Sequence, residues 1–158
     1  MTGADVRAQD LAVEYETVGI GTDATEAARL MARHKLPALL VLDEQGLPKA
    51  VLPASQMVKM LVPQYVVEDP ALAAVVDERH ADLLCRALAD RTVRDCLTDS
   101  VPAPATAAPD DTALEVAALM ARVRSPLVAV VDERENGARL LGVITAAHLL
   151  ERLLAVAP

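Results

Sequence analysis

Two stretches of the chain, LMARHKLPALLVLDE at residues 30–44 and LMARVRSPLVAVVDE at residues 119–133, decide the fold because they are near copies of one another. Each residue of the second stretch lies 89 positions after its counterpart, and both stretches keep a proline and a closing Asp-Glu pair in register. Agreement of this kind at a fixed offset indicates an internal duplication. The chain is therefore predicted to contain two copies of one structural unit.

The residues upstream of each stretch carry the same signals for the start of a helix. Asp23 stands three positions before Glu26, and Thr112 three positions before Glu115, which is the spacing of a capping box. Each helix is predicted to end before its proline, because the residue that precedes proline is disfavoured in the helical region. Apolar spacing then predicts one buried face per helix, formed by Ala27, Leu30, Met31 and a packed His34 in the first copy and by Val116, Leu119, Met120 and Val123 in the second.

A short apolar run follows each proline, and its composition predicts a strand that is buried on both faces. A glycine turn then leads to a second strand and a second helix. With a less distinct opening strand, the order predicted for each copy is strand, helix, strand, strand, helix. Apart from the repeated helix, these elements are predicted at 17–20, 38–42, 49–52 and 54–61 in the first copy and at 104–107, 127–131, 140–144 and 146–154 in the second.

The predicted fold class is α+β, with two β-α-β-β-α repeats packed about a pseudo-twofold axis. One such unit buries too little apolar surface to be stable alone, so the two copies are expected to pack on each other. The first repeat is predicted at residues 6–62, a helical connector at 63–90 and the second repeat at 91–158. Asp69 followed by Pro70 marks a helix start in the connector, and its apolar positions are Leu72, Val75, Val76, Leu83, Leu84 and Leu88.

The composition excludes several classes of partner. The 158-residue chain is 53% hydrophobic but has no Phe or Trp, and its formal net charge is −8. Few aromatic side chains and a negative charge argue against binding to nucleic acids or anionic membranes. No apolar run reaches the about 18 residues of a membrane span, and residues 1–10 lack a signal-peptide core, so a cytoplasmic location is predicted. Cys85 and Cys96 have no metal-binding spacing and are predicted to be reduced thiols.

The sequence GVITAAHL at residues 142–149, placed after a capped helix, a proline turn, a strand ending in Asp and a glycine turn, resembles the end of a CBS domain. Two such units in tandem resemble a CBS pair, or Bateman module, over about the whole chain. The resemblance implies a regulatory rather than a catalytic protein that needs no cofactor. It also implies two clefts that accept AMP, ADP, ATP or S-adenosylmethionine as an effector.

In the family, an Asp near the start of the last helix of each copy holds the ribose, and here His148 and Gln56 stand at those positions. Thr145 is a ribose contact by resemblance and a helix N-cap by preference. Lys35 and Arg124 are equivalent positions that either contact phosphate or lie solvated in a turn. The residues implied as ligand contacts are Thr106, Arg124, Ser125, Pro126, Val143, Ile144, Thr145 and His148 in the cleft of the second copy, and Val18, Ile20, Lys35, Pro37 and Gln56 in the cleft of the first.

Two functions remain open at this point. The first is a ligand-sensing module that binds an adenine nucleotide in the cleft of the second copy and changes its homodimer contacts in response, with a transporter or enzyme as the effector protein. The alternative is a ligand-free module for dimerisation or docking, which the loss of both ribose-binding Asp residues favours. An enzyme is not expected, because no acid, base and nucleophile can be assembled from the sequence. The sequence leaves open the ligand, the effector protein, the number of occupied clefts and the dimer geometry.

Overall fold

The computed structural model describes residues 6–62, 68–69, 71, 86–98, 101, 103–134 and 137–155. Most of the predicted connector, together with Cys85, lies outside these residues, so the division into 6–62, 63–90 and 91–158 stays a prediction. The first half contains α1 (Ala8–Leu11), β1 (Thr17–Gly19), α2 (Ala24–His34), β2 (Ala38–Leu42), β3 (Pro48–Pro53) and α3 (Ala54–Leu61). The second half contains α4 (Val93–Cys96), β4 (Thr106–Ala107), α5 (Ala113–Val123), β5 (Leu127–Arg134), β6 (Gly137–Thr145) and α6 (Ala146–Ala155).

The two halves have the same sheet topology, as the duplication predicts. Each sheet has three strands, in the orders β1-β2-β3 and β4-β5-β6. The first two strands of each sheet are parallel, and the last two form an antiparallel hairpin. The α+β class and the repeated element order are therefore confirmed. The opening strands are shorter than predicted, and the hairpin of the second repeat is longer, because β5 and β6 stay paired out to Arg134 and Gly137.

The central strands β2 and β5 are buried on both faces because each lies between its own helices and the other repeat. Leu39 and Val41 point into the core of the first repeat, whereas Leu40, between them, points toward the second sheet. The alternation of side chains along a strand separates these two sets. The core between the two sheets consists of Ala38, Leu40, Val51, Leu127, Ala129 and Val143.

The start and the end of the repeated helices α2 and α5 agree only partly with the prediction. Thr112 and Glu115 form the predicted capping box, with Glu115 N–H donating to Thr112 Oγ1 at 3.1 Å. The Asp23 side chain makes no capping bond, so that prediction is wrong, and the first N–H of α2 donates to the carbonyl of Arg91 instead. Both helices end before their prolines, but each does so at a left-handed residue, Lys35 (φ 53°) or Arg124 (φ 54°).

The buried faces of α2 and α5 stop at Met31 and Met120, one turn earlier than predicted. His34 is not a packed core residue, because its side chain is 45% exposed and lies 3.8 Å from Glu16. Val123, its counterpart, is 43% exposed. Both residues lie in the last helical turn, beyond the part of each helix that covers the sheet.

The short helices α1 and α4 exchange places between the repeats. Residues Val6, Ala8 and Leu11, which open the first repeat ahead of β1, belong to the core of the second repeat. In the same way Val93 and Cys96, which open the second repeat ahead of β4, belong to the core of the first. Backbone hydrogen bonds hold both short helices in place. Ala8 N–H donates to the Asp111 carbonyl at 2.7 Å, and Val93 N–H donates to the Thr22 carbonyl at 2.8 Å. The core of each repeat is therefore completed by the short helix that opens the other repeat.

Gly142 is required by the backbone that follows α1. Val13 and Val143 exchange two backbone hydrogen bonds, at 3.0 and 2.9 Å, which draw the segment after α1 across β6. A Cβ atom at position 142 would lie 2.9 Å from the Val13 carbonyl oxygen and 3.1 Å from Ala12 Cβ. The glycine is thus explained by chain packing, independently of any ligand.

We expect Gly142→Ala to lower the free energy of unfolding by about 1–3 kcal/mol, the usual cost of overpacking, because the added methyl group meets backbone rather than a flexible side chain. Chemical denaturation measures the loss. Gly21→Ala is the control, since a Cβ at that position meets nothing within 4 Å. Equal stability of the two variants would contradict the close approach at Gly142.

Candidate functional site

A surface cleft of about 630 Å³ lies where the first repeat meets β6. Its walls come from three places: the segment 14–17 that leads into β1, His34 and Leu36 between α2 and β2, and residues 140–143 of β6. We call it the first-repeat cleft. Its size is typical of small-molecule sites, and the contribution of β6 means that both repeats are needed to form it.

The lining of the first-repeat cleft contains two carboxylates on either side of one aromatic residue. The Tyr15 hydroxyl donates to the carbonyl oxygen of Ala38 at 2.7 Å, and burial raises the pKa of this phenol, which keeps it a neutral donor. Glu14 and Glu16 flank Tyr15, and Glu16 Oε1 lies 3.8 Å from His34 Nε2. Two carboxylates beside one imidazole disfavour a phosphate group in this cleft.

Through the repeat, the residues equivalent to the walls of the first-repeat cleft are 103–106, Val123 and Ser125, and residues 48–51 of β3. We call the surface that these residues define the second-repeat cleft. Within the helix and its flanks the counterparts lie 89 positions apart. In the hairpins Val51 corresponds to Val143, because they pair with the equivalent residues Leu40 and Ala129.

The charges of the two clefts differ in sign. Glu14 and Glu16 are replaced by Ala103 and Ala105, and His34 is replaced by Val123. On the opposite wall Leu141 is replaced by Lys49. The second-repeat cleft therefore loses two carboxylates and gains an ammonium group.

Four of the predicted contacts come together at the start of β5 and α6. Ser125 Oγ donates to the Leu127 carbonyl at 2.7 Å, as the Tyr15 hydroxyl does to the equivalent Ala38. Ala146 N–H donates to Pro126 O at 3.0 Å. Thr145 Oγ1 accepts the N–H of His148 at 3.1 Å, so the predicted N-cap of the last helix is confirmed.

The remaining residues predicted for the second-repeat cleft are more scattered. Thr106 is exposed and pairs with Ala129, two residues beyond the start of β5. Arg124 is exposed at the left-handed end of α5. Val143 lines the first-repeat cleft instead, and Ile144 is buried in the core of the second repeat.

The residues predicted for the first-repeat cleft lie mostly away from it. Val18 is buried in the core of the first repeat, and Ile20 packs against that core. The Gln56 amide Nε2 donates to the carbonyl of Cys96 at 3.3 Å. Lys35 and Pro37 are exposed on either side of Leu36, which does line the cleft.

Glu14, Tyr15, Glu16 and the β6 wall of the first-repeat cleft were not predicted from the sequence. The pair of glutamates has no counterpart in the second copy, so a comparison of the two copies upstream of the strands could have signalled it. The β6 wall gives no such signal, because it comes from the other repeat.

The part of the chain that the structure covers shows no sign of a metal site or of a membrane-spanning helix. No three His, Cys, Asp or Glu side chains cluster there as a metal ion would require. Cys96 in α4 is a free, buried thiol whose pKa is raised by burial and by Asp95. Over the same residues no helix is long and apolar enough to cross a membrane.

Comparison with known proteins identifies a family and solved structures that resemble both repeats of the chain. The family model of the CBS domain matches residues 8–62 and 93–155. A CBS domain-containing protein of unknown function from Kribbella flavida has a similar crystal structure, with 46% sequence identity and a TM-score of 0.84. The match covers 94% of this chain and 99% of that one. A comparison with curated protein sequences gave no significant match.

Two more distant structures share the fold and contain nucleotides. CBSX2, a CBS-pair protein from Arabidopsis thaliana, has been solved in complex with AMP; it is 16% identical with a TM-score of 0.65, over 96% of this chain and 98% of that one. The cytosolic domain of the Mg²⁺ channel MgtE, solved in complex with ATP, is 24% identical with a TM-score of 0.58, over 92% of this chain and 48% of that one.

Proposed function

Because the chain belongs to the CBS domain family and carries two copies of the domain, we propose that it is a regulatory module that binds an adenine nucleotide, or a related adenosyl ligand, in the second-repeat cleft. Two structures of the same fold hold AMP and ATP, which supports this ligand class. We also propose that the protein lies in the cytoplasm and acts on a transporter or an enzyme.

The observation that carries the proposal is the difference in charge between the two clefts. A nucleotide brings an anionic phosphate, which carboxylates repel and cations attract. Glu14 and Glu16 face the first-repeat cleft, whereas the second repeat has Ala103 and Ala105 at these positions and Lys49 on the opposite wall. A phosphate group is therefore accommodated better in the second-repeat cleft.

Polar groups for the sugar and the base gather at the same place. The Ser125 hydroxyl both donates and accepts, so it can reorient toward a purine edge. The Thr145 hydroxyl and the His148 imidazole stand at the start of α6. A carboxylate at position 148 would bind a ribose more strongly, and its absence weakens affinity by about ten- to 100-fold. An abundant nucleotide tolerates that loss.

Thermal unfolding with millimolar AMP, ADP, ATP and S-adenosylmethionine tests the proposal. A ligand present at 100 times its Kd adds about 2.7 kcal/mol of stability, which raises the Tm by several degrees for a domain of this size. We expect a rise with at least one nucleotide. A flat response to all four ligands would contradict nucleotide binding.

Arg124→Ala locates the site. Arg124 and Lys35 share the same backbone conformation and exposure, so Lys35→Ala is a matched control. We expect Arg124→Ala to reduce the Tm rise with ATP more than the rise with adenosine, and Lys35→Ala to leave both unchanged. Equal losses for ATP and adenosine would remove Arg124 from the phosphate site.

A ligand-free docking module is the second candidate, and the surface of α6 favours it. Leu149 packs into the second core, but Leu150, Leu153 and Leu154 on the same helix are exposed, the last of them by 68%. Exposed apolar patches commonly mark protein interfaces. The same leucines suit the homodimer expected under either function. Sedimentation of the protein as a monomer at high concentration would argue against that dimer.

A further inference from the structure

A second cavity, of about 410 Å³, lies at the open edge of the first sheet. One side is formed by β1 and the turn after it, with Thr17, Gly19 and Thr22. The other side is the outer face of α2. We call this cavity the edge pocket; its lining is Thr17, Val18, Gly19, Thr22, Glu26, Arg29, Leu30 and Arg33.

Two guanidinium groups dominate the charge of the edge pocket. Arg29 and Arg33 are four residues apart on α2, so they lie on one face of the helix. Within the described ranges neither forms an ion pair, and Glu26 is the one carboxylate in the lining. The pocket therefore carries a net positive charge in a protein whose net charge is −8.

Hydroxyl groups face the guanidinium groups across the pocket. Thr22 Oγ1 accepts the N–H of Gly19 at 3.2 Å, which fixes the oxygen and leaves the hydroxyl proton available to donate. Thr17, at the start of β1, contributes a second hydroxyl to the lining. Guanidinium forks with neutral donors opposite suit the oxygens of a phosphate group.

The second repeat shows that the fold does not require these cations. At the equivalent positions it has Asp111 for Thr22 and Ala118 for Arg29, and it keeps Arg122 for Arg33. Asp111 accepts the N–H of Ala108 at 2.9 Å, just as Thr22 accepts that of Gly19. The turn is thus the same in both repeats, but the charge of the surrounding surface is reversed.

We propose that the edge pocket binds the phosphate group of a small phosphorylated metabolite. The site uses Arg29 and Arg33 as charged donors and the hydroxyls of Thr17 and Thr22 as neutral ones. Its volume leaves room for an organic group attached to the phosphate, and small-molecule sites usually exceed about 300 Å³. The site shares only Thr17 with the first-repeat cleft and does not depend on an adenosyl ligand elsewhere.

Titration of the isotopically labelled protein, followed by NMR at constant ionic strength, tests the site. The probes are inorganic phosphate and ribose 5-phosphate, which distinguish a free anion from an organic phosphate, and neither probe contains adenine. We expect saturable shifts of the Gly19 and Thr22 amide signals, with tighter binding of ribose 5-phosphate. Absence of saturable shifts with both probes would overturn the proposal.

Three variants distinguish binding in the edge pocket from nonspecific attraction between the probe and the charges of the protein surface. Arg29→Ala is expected to weaken binding by about ten- to 100-fold, as expected for a lost charged hydrogen bond. Glu26→Gln is expected to tighten binding, because it removes the carboxylate from the lining. Arg122→Ala, which removes the counterpart of Arg33, is expected to change nothing. Equal weakening by Arg29→Ala and Arg122→Ala would overturn the assignment.

Discussion

Replacement of Leu11 by alanine is expected to lower the free energy of unfolding by about 2–5 kcal/mol, the range for a buried leucine that leaves a cavity. Leu11 is fully buried, although it belongs to a four-residue helix at the start of the first repeat. Its neighbours are the core residues of the second repeat, including Val116 and Ile144. The damage should therefore appear in the distant repeat.

Chemical denaturation measures the loss of stability from Leu11→Ala, and amide hydrogen exchange locates it. We expect β4, β5 and β6 to lose more protection than β1, β2 and β3. Val13→Ala is the control, because Val13 lies two residues away but is 40% exposed. Faster exchange confined to the first sheet would contradict the packing of α1 in the second core.

Leu40→Ala is expected to cost a similar amount, about 2–5 kcal/mol, for a different reason. Leu40 is 1% exposed and fills the space between the two sheets. Its removal leaves a cavity that both repeats share, so the interface itself is weakened.

The same two measurements test Leu40→Ala, with a different expected distribution. Both sheets should lose protection from hydrogen exchange to a comparable extent. Leu42→Ala is a matched control, because Leu42 lies on the same face of β2 but is only partly buried, and it should cost clearly less. A loss restricted to the first sheet would show that Leu40 does not couple the repeats.

The elements that local pattern controls could be predicted from the sequence. The bounds of α3, residues 54–61, were predicted correctly, because Pro53 and a run of helix-forming residues define it locally. The burial of β2 and β5 on both faces followed from their continuous apolar composition. The duplication helped throughout, since a signal that is weak in one copy is supported by the other.

The exchange of α1 and α4 could not be predicted in this way. Each helix has only four residues, which is too short for a periodic pattern. In addition, the residues that α1 packs against lie about 100 positions away in the sequence. The exposure of His34 and Val123 was missed because helical periodicity does not show where a helix passes the edge of the sheet beneath it.

The candidate site was predictable where a sequence motif carries it. Ser125, Pro126, Thr145 and His148 lie near one another, because β5 and α6 begin at the same end of the second sheet, and their contact with a ligand stays a prediction. Val18 and Ile20 were placed on the wrong face, because the sequence does not show toward which side a short strand turns its alternating side chains. The acidic wall at Glu14 and Glu16 lies outside the motif.

The crossing of α1 and α4 has a consequence for the independence of the two repeats. Each of these helices is covalently joined to one sheet and packs in the core of the repeat that contains the other sheet. A polypeptide limited to one repeat lacks part of its own interior, so we expect neither repeat to fold alone.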